Sequence, residues 1–138
     1  MKTWTLFAIV VPVLLLFDLL WLGVVMKSFY SQELLEMARR RGAALAPRWA
    51  AAVLVYLLIP GGLVLFVRPL LGASSTAWQA FGWGAAFGLV LYGVYDLTNL
   101  AVLEKWTVRL TIADIAWGCV LCGTTSAVMH LVDGWLGS

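Results

Sequence analysis

The chain has 138 residues, 63% of them apolar and only 12% charged, with a mean hydropathy of +0.96. A soluble domain carries about a quarter of its residues as charges to cover its surface, so this composition excludes a water-soluble globule and with it any soluble enzyme. A net charge of +2 with no basic face beyond one loop excludes a nucleic-acid binder, and two cysteines exclude a disulfide scaffold.

The expected fold is an all-α integral membrane protein, a single domain over residues 1–138. The first apolar run, residues 4–26, follows Lys2 as a secretory leader would. It lacks an A-x-A cleavage site and is longer than a leader's apolar region, so it reads as a retained span. Residues 31–41 place acids early and bases late, with Gly42 just beyond, and Glu36 and Arg40 stand four apart. This predicts a short helix lying on the cytoplasmic surface, as an anchor or as a basic patch for anionic headgroups. The second span covers 49–67 and is expected to kink at Pro60-Gly61-Gly62. The third runs over 78–103 and the fourth over 111–132. Each is long enough for a hydrocarbon layer of about 30 Å, and the four together predict an antiparallel four-helix bundle.

Orientation follows from the basic residues of the short loops. Lys27, Arg39, Arg40, Arg41, Arg48, Lys105 and Arg109 fall on one side, against Lys2 and Arg68 on the other. The positive-inside rule then places both termini in the periplasm of a bacterial inner membrane. So lopsided a distribution also argues against a dual-topology dimer of the small multidrug-transporter type. Trp4, Trp49, Trp78, Trp106 and Trp135 fall at span ends, as an interfacial belt requires, which leaves Trp21, Trp83 and Trp117 within the membrane.

Carboxylates inside a bilayer are expensive and mark candidate functional sites. Asp18, Asp96 and Asp114 lie on three different spans at depths of roughly 12, 10 and 5 Å from the cytoplasmic end, and Tyr56 on the remaining span at roughly 10 Å, at about 1.5 Å per residue. All four helices thus contribute to one polar layer. On the third span Gly88, Tyr92, Tyr95 and Asn99 share a stripe with Asp96 beside it, continued outward by Gly84 and Ala80, which permit close helix approach. On the first span Asp18 stacks with Val11, Leu14, Leu22 and Val25, and Asp114 shares its face with Gly118 and Thr125. Asp18-x-x-Trp21 and Asp114-x-x-Trp117 echo each other.

Structural roles compete with these readings. Thr111-Ile-Ala-Asp114 resembles a capping box, so Asp114 could serve only to cap a helix, and Asp18 and Asp96 could be interhelical hydrogen-bond partners. His130, about 24 Å along the fourth span from Asp114, is expected to be solvated at the far interface. Cys119-x-x-Cys122 lacks the strand–helix context of a redox motif and reads as small packing residues. No motif points to a cofactor or a metal, and one histidine is too few for a His-box di-iron site.

Asp18-x-x-Trp21-x-Gly23, Gly84-Ala-Ala-Phe-Gly88 followed by Tyr92-Gly-Val-Tyr95-Asp96-Leu-Thr98-Asn99, and Asp114-x-x-Trp117-Gly118 together resemble the small bacterial inner-membrane family catalogued as domain of unknown function 2177. The resemblance spans nearly the whole chain. It implies a four-span bacterial membrane protein and no particular activity. Genes for lipid alteration near those of family members tilt the implication toward membrane-lipid chemistry.

The expected site is therefore a cytoplasmic-half pocket of Asp18, Asp96, Asp114 and Asn99, with Tyr56, Tyr92 and Tyr95 around it and Trp21 and Trp117 as walls. Its expected partner is a membrane lipid or other hydrophobic small molecule, bound or modified there, with Asp96 as the leading carboxylate. Proton- or cation-coupled transport by a homo-oligomer, or assembly with another membrane protein, are the alternatives.

Overall fold

A computed structural model describes residues 2–34, 37–41 and 44–137. It is mostly helical. Helix α1, Lys2–Leu20, runs on as a π-helical turn, Trp21–Val25; α2 follows at Lys27–Leu34. Two-residue strands Arg40–Arg41 and Ala44–Leu45 pair antiparallel, Arg40 opposite Leu45. Helix α3, Trp49–Gly62, continues through a π-helical turn, Leu63–Val67, and a 3₁₀ turn, Arg68–Leu70. Helices α4, Ala77–Val102, and α5, Val108–Gly137, complete the chain. Among the described residues four helical stretches are long and apolar enough to cross a membrane: Lys2–Val25, Trp49–Leu70, Ala77–Val102 and Val108–Gly137.

Two local expectations change, at the surface helix and at the start of the fourth membrane helix. The predicted helix over 31–41 occupies Lys27–Leu34 instead, and Arg40 lies in the small ladder, where its guanidinium donates to the Ser31 carbonyl at 2.6 Å and to Ser31 Oγ at 3.3 Å. An extended segment turns successive side chains to opposite sides and separates arginines that a helix end would crowd together. Glu36 and Gly42 lie outside the described residues. Pro60 is carried inside α3, and three residues on, where the helix passes into its π turn, the Leu63 N–H reaches the carbonyls of both Ile59 and Pro60. The fourth membrane helix opens at Val108 rather than 111. Thr107 caps it, its hydroxyl accepting the Leu110 N–H at 3.0 Å, so Asp114 stands well inside the helix and caps nothing. Thr111 instead donates its hydroxyl to the Thr107 carbonyl at 2.9 Å and accepts the Trp106 indole N–H.

Buried residues fall at four-residue spacing, the period that keeps one helix face inward. On α1 the buried line is Leu6, Val10, Leu14, Asp18. On α4 it is Ala80, Gly84, Gly88 and Asp96, with half-buried Tyr92 completing the series. The line thus passes through Asp96 itself and leaves Tyr95 and Asn99 to one side. Alpha-4 lies against α5 through these small residues. A Cβ at Gly88 would run into the Gly118 carbonyl and come within 2.9 Å of the Cys122 Cβ, and one at Gly84 would meet the Cys122 carbonyl and Ser126. Without a hydrophobic force between helices in lipid, such close approach is what holds a helix pair together. Cys122 is buried in this contact, and both cysteines are unbridged.

Helix α1 packs on α3 and α5, whereas α4 meets the second span mainly through its π turn, with Phe87 set over Gly62. Leu6, Val10, Leu14, Leu63, Val64, Leu121 and Met129 fill the core at that end. Nearer α2, α3 and α4 stand apart.

Replacing Gly88 by Leu should force this contact open and lower stability in detergent by about 1–3 kcal/mol or prevent folding, as overpacking does. Gly82→Leu, where the added Cβ meets nothing within 4 Å, should leave the thermal melting midpoint unchanged. Equal melting of the two variants would contradict the assigned contact.

Candidate functional site

The buried lines of α1 and α4 both end, at the α2 end of the bundle, on a carboxylate. Asp18 is 6% exposed and accepts two hydrogen bonds, from the Tyr56 hydroxyl of α3 at 2.7 Å and from the Trp117 indole N–H of α5 at 2.8 Å. Asp114 of α5 accepts the Tyr30 hydroxyl of α2 at 2.8 Å, and that hydroxyl in turn accepts the Trp21 indole N–H at 3.2 Å. Trp21 and Trp117 stack between them, ring centroids 4.4 Å apart and planes 4° from parallel. The two Asp-x-x-Trp segments therefore answer each other across the α1–α5 contact. The tryptophan of α5 serves the aspartate of α1 directly, and the tryptophan of α1 serves the aspartate of α5 through Tyr30.

Asp96 is fully buried on α4 against the Asp114 carboxyl, and neither of its oxygens meets an amide, hydroxyl or cationic donor among the described residues. Burying a carboxyl without such donors is costly, which sets Asp96 apart from Asp18. Asn99 is half-buried and its side chain lies by Tyr95. Tyr95 is 57% exposed, its ring edge-on to Trp106 at 6.0 Å.

Where α3 and α4 part, a cleft of about 460 Å³ opens, lined by Asp18, Asp114, Tyr56, Tyr92 and Tyr95 among apolar side chains that include Leu22, Val55, Leu58 and Leu91. Of the expected pocket, Asp18, Asp114 and the three tyrosines reach the cleft. Asp96 and Asn99 do not line it, because the four-residue line on α4 turns Asp96 into the α5 contact. Trp21 and Trp117 stand behind the carboxylates rather than on the cleft wall. A second cavity, about 370 Å³, lies between α1 and the second span around Trp4, Phe7 and Phe66 and has no titratable group in its lining. Among the described residues no three His, Cys, Asp or Glu side chains come together as a metal site.

Sequence reasoning passed over Tyr30. It lies one residue before the expected surface helix begins, so its reach back to the membrane was invisible without the true start of α2 at Lys27. Burial pushes its phenol up from the ordinary value of 10.0, and the Asp114 charge adds to this. Glu33, one turn on, accepts the Thr107 hydroxyl at 2.5 Å and lies 3.8 Å from Arg109 Nε, fastening α2 to the start of α5. Asp133, at the opposite end of the molecule, was passed over as well. Arg68 grips it with two bonds of 2.8 and 3.0 Å, and Lys2 Nζ lies 3.3 Å away. His130 is not simply solvated, since its Nε2 lies 2.7 Å from the Ser75 carbonyl.

Tyr30→Phe should leave Asp114 and the Trp21 N–H each short of a partner and lower stability by about 1–3 kcal/mol. A phenol whose pKa is raised on folding contributes fully below pH 10 and loses that contribution as pH rises further. The wild type should therefore lose more melting temperature than Tyr30→Phe between pH 9 and 11; parallel curves would show that the phenol is not enclosed.

Neither a curated protein nor a solved structure matches the chain. A family model described as predicted membrane protein (DUF2177) matches residues 3–131, a stretch that takes in every residue of the cleft and of the tryptophan pair. On that match, and with four apolar helices of spanning length, the chain belongs to the DUF2177 family of membrane proteins, whose function is unknown.

Proposed function

We propose that the protein is an antiparallel four-helix bundle of a bacterial inner membrane, with both termini periplasmic and α2 on the cytoplasmic surface, and that its cleft binds a lipid or other hydrophobic small molecule entering sideways from the bilayer. The observation that carries this reading is the cleft itself: an apolar groove of about 460 Å³ whose deep end is polar, opening between two membrane helices that touch only farther along. Sites for small ligands are concave and mostly apolar, with a few convergent polar groups. The antiparallel order is supported by the α4–α5 contacts, which pair Gly84 with Ser126 but Gly88 with Gly118. Seven basic residues at the α2 end against two at the other support the orientation.

Binding with lateral access fits better than transport, because Leu6, Val10, Leu14, Leu121 and Met129 close the other half of the bundle, where the Thr125 and Ser126 hydroxyls are the buried polar groups among the described residues.

Extraction in a mild non-ionic detergent followed by native mass spectrometry should find a hydrophobic molecule retained by the wild type and lost from Leu91→Trp, which fills the cleft. An identical bound profile in both would remove the cleft as the binding site. For orientation, Gly72→Cys should react with a membrane-impermeant thiol reagent in intact cells, and Ser28→Cys only after permeabilisation. The reverse pattern would invert the topology.

A further inference from the structure

The cleft also constrains the charge of its occupant. Lys2 and Arg68 pair with Asp133 and Arg109 pairs with Glu33, and among the described residues no lysine, arginine or histidine forms an ion pair with Asp18, Asp96 or Asp114. Three carboxyls are therefore gathered within the membrane without a cation, although buried charges in proteins are paired. Asp18 has both oxygens engaged by donors. Asp114 accepts the Tyr30 hydroxyl on one oxygen and faces the cleft, with the Asp96 carboxyl against it and no basic side chain between them. The rings beside these carboxyls are Tyr56, Tyr92 and Tyr95, whose faces attract a cation.

We infer that the occupant is a cationic amphiphile, an ammonium head seated between Asp18, Asp114 and the tyrosine rings with its hydrocarbon chain along Leu58 and Leu91. This rests on the reading of the cleft as a ligand site and adds the class of ligand. An anionic headgroup would meet carboxylates and no basic side chain. A bare metal ion would find no converging set of three His, Cys, Asp or Glu ligands among the described residues, whereas an organic ammonium with its spread charge needs only acidic and aromatic neighbours.

The test uses the full-length protein in a non-ionic detergent with three probes of equal chain length: tetradecyltrimethylammonium, tetradecanol and tetradecanoate, their binding measured by native mass spectrometry. The ammonium should bind about tenfold more tightly than either other probe, a ratio within reach of one carboxylate and one aromatic contact. Asp18→Asn should bring the ammonium close to the alcohol. Val55→Trp, which fills the cleft and keeps every carboxyl, should abolish binding of all three. Equal binding of the three probes, or preference for tetradecanoate, would overturn the charge assignment and leave the cleft as a site. Ammonium binding that survives Val55→Trp would place the cation elsewhere and overturn it too. Binding of none of the probes to the wild type would remove the cleft reading, and this inference with it.

Discussion

The contact on which the arrangement depends is the meeting of α4 and α5 backbones at Gly84, Gly88 and Gly118. In lipid, hydrocarbon side chains gain nothing by leaving their surroundings, so helix association rests on dispersion between closely approaching atoms. Gly88 against the Gly118 carbonyl provides that approach, and Tyr92 lies against Gly118 a turn away. The same closeness sets Asp96 beside Asp114 and aims Trp117 at α1. A larger residue in this line would displace the carboxyls along with the helix.

The two ends of the bundle treat their acids differently. Asp133 is held by Arg68 and Lys2 in a charge-complementary clasp that ties the start of α1 and the end of the second span to α5. Asp18 and Asp114 are held instead by phenols and an indole, neutral donors that fix the geometry of a carboxyl without cancelling its charge. Such an arrangement orients a group while keeping its electrostatic demand open, which a purely structural clasp has no need to do.

The four spans and their approximate limits could be read from apolar runs, and the layer of Asp18, Asp114 and Tyr56 from depth counting at a fixed rise per residue. Those signals are one-dimensional and survive packing. What escaped depends on pairing between distant segments. Arg68 and Asp133 are 65 residues apart, Tyr30 and Asp114 84 apart, and nothing local in either residue announces its partner. The fourth helix was misplaced at its start because Thr111 with an acid three residues on fits a capping template better than Thr107, which caps with its hydroxyl alone. Asp96 was expected on the pocket wall because Tyr92, Tyr95 and Asn99 share a broad polar arc. The α5 contact selected the narrower line of small residues within that arc.

The parallel indoles of Trp21 and Trp117 have a consequence of another kind. Two identical chromophores lying face to face at 4.4 Å do not absorb independently; their excited states mix, and the mixing falls off steeply with separation and tilt. One ring of the pair is bonded to Asp18 and the other to the hydroxyl that serves Asp114, so the optical activity of this pair in the near ultraviolet is tied to the separation of α1 and α5 at the two carboxylates. The molecule carries its own ruler at the place where its charges are gathered.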